Sequence, residues 1–442
     1  MGKYFGTDGI RGRNEIFTNV VLTCIASSLI KTINKEKVVI LIGGDTRKST
    51  KHISGILAKE LSIRGADVLD AGIIPTPAIS FLTSKYKADC SIIITASHNP
   101  YTDNGIKILN QNGEKLSDDL INVIENYIDT YRDNDIIKTS GKIKNIHEKA
   151  IDDYLNHLLS SISSDLKGLK IGIDCANGAT SIIAEKLFSK LNAEYILINN
   201  NWTYNNVINK DCGSTHLEGI KKLVQDKNLD FGVAYDGDGD RCLMITNTGK
   251  EIDGDHILGI LSNHDKKQKK LVITVMANQG LINYAKDSNI DLIITNVGDT
   301  LVYEAMKENN IDYGGEQSGH IILRNKKMRT GDGLLTSIVI GDIIKKSNKS
   351  LDSLASIVQK LPQIITNVKA DADAKESFKT SIEVSTLIRE YENILKKEKG
   401  RINVRPSGTE NLIRITMWGE HEDYIKKQAS ELAKKLERII SK

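Results

Sequence analysis

The sequence predicts an α/β chain: three similar units of alternating strands and helices, followed by a smaller C-terminal α+β domain. Three observations carry this expectation. Apolar runs of strand length alternate with stretches of helical spacing, which implies βαβ units and parallel sheets. That order recurs three times, and each time it ends in a polar loop: TASHNP, DGDGDR or GEQSGH. Past Ser350 the pattern changes to a hairpin and a final amphipathic helix. A chain of 442 residues is also too long for one ordinary core, with about three domains as the length prior.

In the first unit Leu22, Ile25, Ala26, Leu29, Ile30 and Ile33 fall at helical spacing over 18–34. The run 38–42 is apolar throughout, a buried parallel strand leading into the turn Gly43-Gly44-Asp45. Ile53, Ile56, Leu57 and Leu61 mark a second helix, which Gly65 ends as a C′ glycine. Strands at 66–72 and 89–95 flank a turn and short helix at 75–84. Asn104-Gly105 opens the strand 106–109, and Ser117 caps a helix running through Tyr131.

The second unit follows with strands at 169–174, 193–198 and 231–235, and with helices ending at Leu191 and spanning 217–224. The third has strands at 271–276 and 291–296, helices at 280–285 and 301–307, and a last step at 311–313 running into GGEQSGH. Three loops delivered alike suggest three loops facing one cleft. In the C-terminal domain, 363–368 reads as a strand after Pro362, and 401–405 and 412–418 flank PSGTEN as a hairpin. Ile413, Ile415 and Met417 share one face of its second strand, with Arg414 and Thr416 on the other.

Composition narrows the function classes. Aromatics are only 5%, so the cores must be mostly Ile, Leu, Val and Ala. A net charge of +3 on 60 basic and 57 acidic residues lacks the basic stripe of a nucleic-acid binder. Five well-spaced cysteines with no CxxC pair predict reduced thiols and no zinc site. No apolar run approaches the ~18 residues of a membrane span. MGKYFGTDG lacks an apolar signal region and reads as part of the fold. A soluble, cytoplasmic protein is expected.

The loops hold the candidate chemistry. The strand ending at Thr95 runs into Ser97, His98, Asn99 and Pro100, at the carboxyl end where α/β sheets place ligands. On this stretch alone Ser97 is either a nucleophile or the residue at which a buried strand leaves for solvent. His98 neighbours Ser97, and adjacent residues of an extended chain point opposite ways, so a structural or phosphate-contacting role is expected for it. Asp236, Asp238 and Asp240 alternate with glycines that let their carboxylates converge, and hard oxygen ligands select Mg²⁺, Mn²⁺ or Ca²⁺. An EF-hand is excluded, because Arg241 stands where it needs Gly and Asn247 where it needs Glu. Arg405–Glu410, RPSGTE, combines a guanidinium, two hydroxyls and a turning backbone at Gly408, the inventory for gripping a phosphate, which Arg414 could join. Glu316, Gln317, Ser318 and His320 suit sugar hydroxyls. Lys107, held near a metal and Arg241, would have its charged form disfavoured, which suits proton transfer.

Taken together, FGTDGIRG (5–12), TASHNP (95–100), DNGIK (103–107), DGDGDR (236–241), GEQSGH (315–320) and RPSGTE (405–410) resemble the motifs of the α-D-phosphohexomutase superfamily, in family order along the whole chain. The resemblance implies four domains around a central cleft: three similar mixed α/β units (1–150, 151–254, 255–365) and a phosphate-binding α+β domain (366–442). It implies that Ser97 is a phosphoserine and that Asp236, Asp238 and Asp240 hold Mg²⁺ together with it. Lys107 matches a general base supported by Arg11. Glu316 and Ser318 match sugar contacts, while Arg405, Ser407, Gly408 and Thr409 match the anchor of the phosphate that does not react. Three carboxylates and a phosphoserine of about −2 outweigh Mg²⁺ by about three charges, which Arg11, Lys107 and Arg241 are available to balance.

The chain is most similar to the branch acting on glucosamine phosphates. That implies exchange between glucosamine 6-phosphate and glucosamine 1-phosphate, supplying UDP-N-acetylglucosamine for cell-wall synthesis. Glucosamine 1,6-bisphosphate would be both intermediate and activator. The expected partner is a small hexosamine phosphate, with no nucleic acid or membrane, and the expected state a monomer or homodimer. Rivals are a mannose or glucose phosphate mutase, a non-catalytic sugar-phosphate sensor and a Mg²⁺-dependent phosphatase. Two positions depart from the family pattern: Thr300 stands where the branch has arginine, and Asn411 where proline commonly follows SGTE.

Overall fold

A computed structural model of the chain describes residues 4–6, 9–130, 141–397, 399–407 and 411–440. The first sheet contains β1 (Phe5–Gly6), β2 (Gly9–Arg13), β3 (Val38–Gly44), β4 (Ala66–Ile73), β5 (Cys90–Ile94), β6 (Asp103–Asn110) and β7 (Ile143–Asn145), in the order β1-β2-β6-β5-β3-β4-β7. The second holds β8 (Lys170–Asp174), β9 (Glu194–Ile198), β10 (Phe231–Tyr235), β11 (Cys242–Thr246) and β12 (Glu251–Ile252), in the order β12-β11-β10-β8-β9. The third is β14-β13-β15-β16, from β13 (Lys270–Thr274), β14 (Asp291–Thr295), β15 (Tyr313–Gly315) and β16 (Ile321–Leu323).

One plan underlies all three. Strands β3, β4, β5 and β6 correspond to β8, β9, β10 and β11, and to β13, β14, β15 and β16. In each unit the second strand lies outside the first, the third lies on the first's other side, and the fourth runs back antiparallel beside the third. The parallel pairing expected from alternating strands and helices holds for the first three strands of each unit, and the fourth strand is the exception. Loops 95–102, 236–241 and 316–320 are shorter than the roughly dozen residues a parallel crossover needs, so the chain can only turn back as a hairpin. The three chemical loops are therefore equivalent hairpin turns.

Helices at Asn19–Ile33, Lys48–Ile63, Thr76–Lys85 and Asp118–Thr130 lie where helical spacing places them, Tyr131 falling outside the described residues. The Thr18 hydroxyl accepts from the Val21 N–H to start the first, and left-handed Asn34 ends it. Helices Gly254–His264 and Gly333–Ser347 carry no periodic signal because they are buried nearly all round. The helix His147–Ser160 joins the first two units through buried Ile151, Tyr154, Leu155 and Leu158.

One continuous core runs through the three units, from Leu41 and Ile93 through Ile171 and Phe231 to Leu271 and Leu335. The C-terminal domain has its own core. There β17 (Gln363–Lys369), β18 (Arg401–Pro406) and β19 (Leu412–Trp418) form an antiparallel sheet β17-β19-β18, with Ile413, Ile415 and Met417 packed on Tyr391, Leu395 and Leu432. Its first strand begins at Gln363, ahead of residue 366. The linker before it is pinned at Leu361, whose N–H and carbonyl both bond the Asn278 side chain at 2.9 Å. No helix among the described residues is long and apolar enough to cross a membrane.

Candidate active site

The β5–β6 turn carries Ser97 in the left-handed conformation, φ 51°. That geometry overturns the expectation for its neighbour: Ser97 Oγ lies 3.3 Å from His98 Nδ1 instead of pointing away from it. Burial, then the charges of Arg241 and Arg11, pushes the His98 imidazole down to about 4, so it is neutral at physiological pH. Ser97 Oγ donates to Asp236 Oδ2 at 2.7 Å, and the Ser97 N–H donates to Thr95 Oγ1 at 2.8 Å.

The β10–β11 turn brings Asp236, Asp238 and Asp240 together, all buried, with ligand oxygens within 4.8 Å of one another. Gly239 makes the turn at φ 72°, and Gly237 lets it approach the serine loop, since a Cβ there would stand 2.7 Å from the Ser97 carbonyl oxygen. Burial, then the charges of Asp240 and Asp238, pushes Asp236 well above the usual carboxylate range. At Asp240 burial acts the same way, but Lys107, His320 and Arg241 overcome it and hold that carboxyl well below the range.

Lys107, on β6, is buried with Nζ 2.9 Å from Asp238 Oδ2 and 3.4 Å from Asp240 Oδ2. These carboxylates are two of the three that converge in the β10–β11 turn. Asp238 Oδ1 and Asp240 Oδ1 are buried acceptors with no hydrogen-bond partner. Orphaned carboxylate oxygens in a cluster of hard donors fit a divalent cation such as Mg²⁺.

Arg241 follows directly: its N–H bonds Asp236 Oδ1 at 3.2 Å and its Nε lies 3.9 Å from Asp240 Oδ1. Arg11 stands on β2 opposite Gly105, with its charge felt at His98. In the β15–β16 turn Glu316 Oε1 accepts from the Gly298 N–H at 3.1 Å, and Ser318 Oγ is buried without a hydrogen-bond partner. His320 is not a free sugar ligand. Its Nε2 accepts from the Gly331 N–H at 2.8 Å, which leaves Nδ1 to face Asp240 Oδ2 at 3.7 Å.

On the C-terminal hairpin Arg405 pairs across the sheet with Arg414, which puts both on one face. Arg405 is lowered from the ordinary arginine range by burial and by Arg414, while the Glu316 carboxylate opposes that shift. Ser407 is buried and its carbonyl accepts from Lys375 Nζ at 2.9 Å. Gly408 and Thr409 lie outside the described residues. Between the first and third units a cavity of about 350 Å³ is lined by Gly9, Lys107, Lys115, Gly298, Thr300 and Glu304. Thr300 thus faces that cavity.

Sequence reasoning passed over Thr76, which clasps the metal loop. Its Oγ1 donates to Asp238 Oδ2 at 2.7 Å and its N–H to the Asp238 carbonyl at 2.9 Å. It also passed over Asp45 and Arg47, although they too follow a buried strand at its carboxyl end, the signal that singled out Ser97.

Residues 2–135, 152–249, 253–361 and 355–435 match, in turn, alpha/beta/alpha domains I, II and III and the C-terminal domain of phosphoglucomutase/phosphomannomutase. The chain is 41% identical over 455 residues to phosphoglucosamine mutase of Clostridioides difficile, covering 100% of both chains. It is 43% identical over 448 residues to phosphoglucosamine mutase of Acetivibrio thermocellus, covering 99% of both. A phosphoglucomutase/phosphomannomutase family protein of Burkholderia thailandensis shares the fold, with TM-score 0.79 and 19% identity over 98% of each chain. Four matching domains in order, a full-length likeness above 40% identity and a serine set against three buried aspartates agree: the chain belongs to the phosphoglucomutase/phosphomannomutase family.

Proposed function

We propose that the chain is a phosphoglucosamine mutase, an isomerase exchanging glucosamine 6-phosphate and glucosamine 1-phosphate through phosphoserine at Ser97 and a glucosamine 1,6-bisphosphate intermediate. The observation that carries this reading is the 2.7 Å bond from Ser97 Oγ to Asp236, inside three converging carboxylates, in a chain alike over its full length to enzymes of that name. Phosphoryl transfer asks a protein mainly for positioning and charge stabilisation. Asp236, Asp238 and Asp240 would hold Mg²⁺, which would supply charge neutralisation for the phosphoryl group on Ser97.

The remaining roles fall to side chains of the cleft. The phosphoryl group passes from Ser97 Oγ to a sugar hydroxyl, whose proton would go to the neutral amine of Lys107 as general base, with Arg11 in support. Arg241 balances charge on the substrate side. Glu316 accepts from sugar hydroxyls, and Ser318 Oγ has a hydrogen bond still to make. Arg405, Ser407, Gly408 and Thr409 grip the distal phosphate. The bisphosphate then turns over, and its other phosphate returns to Ser97.

A coupled assay with Mg²⁺ and a hexose 1,6-bisphosphate, comparing glucosamine, mannose and glucose 6-phosphates, tests the substrate. Preferred turnover of the mannose or glucose compound would overturn the assignment. Intact mass of the purified protein should show a phosphorylated fraction that Ser97→Ala removes along with activity, and full activity in that variant would sink the mechanism.

A further inference from the structure

Arg47 follows β3 in the GGDTR turn and is wholly buried. Every donor of its guanidinium is engaged. Nε donates to Asp45 Oδ2 at 2.9 Å, Nη1 to the carbonyls of Pro100 (2.5 Å) and Asp103 (3.1 Å), and Nη2 to those of Ser97 (2.9 Å) and Asn99 (2.8 Å). Four carbonyls of one loop thus converge on one cation. From the second unit Asn209 Nδ2 reaches two of the same oxygens, Ser97 at 2.8 Å and Asn99 at 3.0 Å. Asp45 ties the far side of the arrangement to the loop's entry, accepting from Thr95 Oγ1 at 2.6 Å. Burying a cation against a single carboxylate is costly, and packing alone could be met by an apolar side chain. A planar fork with five donors does what neither an apolar residue nor lysine can: it fixes several peptide planes at once.

The consequence lies on the opposite edge of those planes. In a trans peptide the C=O and N–H point in opposite directions. With the Ser97 carbonyl drawn inward, the His98 N–H points outward, and among the described residues no hydrogen bond occupies it. We propose that Arg47, with Asn209, is a positioning residue for phosphoryl transfer: it locks the Ser97–His98 peptide so that the His98 N–H faces the cleft as a donor to the phosphoryl oxygens on Ser97. This rests on the phosphoserine reading above.

The test follows Ser97 phosphorylation by glucose 1,6-bisphosphate in the full chain, using rapid quench and intact mass. The readout is the rate constant, which does not depend on the folded fraction as the amplitude does. Arg47→Lys keeps the charge but loses the fork, and should slow phosphorylation about 10- to 100-fold, the scale of a small misplacement of reacting groups. KM for glucosamine 6-phosphate should stay within about twofold, because the distal anchor is untouched. Asn209→Gly, tolerated at φ 57°, should slow the same step by a smaller factor, and it decides the matter should Arg47→Lys not fold. Wild-type rate constants in the folded variants overturn the proposal. A wild-type chain that takes no phosphate on Ser97 overturns the mutase reading, and this proposal with it.

Discussion

Single residues here are set by what surrounds them more than by their type. Three carboxylates within 4.8 Å would repel, and the charges of Lys107 and Arg241 relieve only part of that repulsion. A bound divalent cation should therefore stabilise the fold by mass action, by about 2.7 kcal/mol at a hundred times its Kd. The midpoint of thermal unfolding should rise on adding Mg²⁺ to EDTA-treated protein, and Asp240→Asn should abolish the rise. An equal rise in that variant would place the ion elsewhere. Asp332 offers a second case, away from the reacting groups. Burial lifts its carboxyl to about 7 against bonds from the Leu335 N–H and Tyr154 OH. The folded protein then holds a proton that the unfolded chain releases near pH 4, so this group's contribution falls as pH rises from about 4 through about 7. Asp332→Asn keeps the helix cap and should flatten that decline. Melts at pH 5 and pH 8 that shift by the same amount in variant and wild type would show the idea to be wrong.

At the scale of elements, the repeated hairpin is the functional unit. Its existence was legible in the sequence, because the third strand of every unit ends in a polar loop. Its antiparallel return was not, since Cys242–Thr246 and Ile321–Leu323 are short apolar runs without a periodic signature. Contact between the loops was equally hidden: the serine and metal turns meet at the Gly237 backbone, a feature of packing that motif spacing does not express. Gly237→Ala would set a methyl 2.7 Å from the Ser97 carbonyl and 2.8 Å from Asn209 Nδ2. It should lower kcat about 10- to 100-fold while leaving the circular dichroism spectrum intact. Unchanged kcat would mean that the two turns do not depend on each other's position.

For the whole molecule the division of cores matters most. One core runs through the first three units beside smaller clusters within each, whereas the C-terminal domain packs on its own. It is moored to the third unit by a few polar contacts, among them Arg401, which donates to the carbonyls of Val275 (3.1 Å) and Ala277 (2.5 Å) and stacks on Trp418. A domain held this way can close on a bound phosphate and reopen for the intermediate to turn. Small-angle scattering should show a smaller radius of gyration with saturating glucosamine 6-phosphate, and an identical profile would argue for a fixed cleft. The sequence by itself determined the α/β repeat, the distinct last domain and the residue types of the serine, metal, sugar and phosphate loops, because strand periodicity and side-chain chemistry are local properties. Only the tertiary structure decided that Ser97 takes a left-handed backbone beside a neutral His98, that Lys107 sits on the aspartates, and that Arg47 gathers the serine loop. Those facts depend on burial and on contacts between residues fifty or more positions apart.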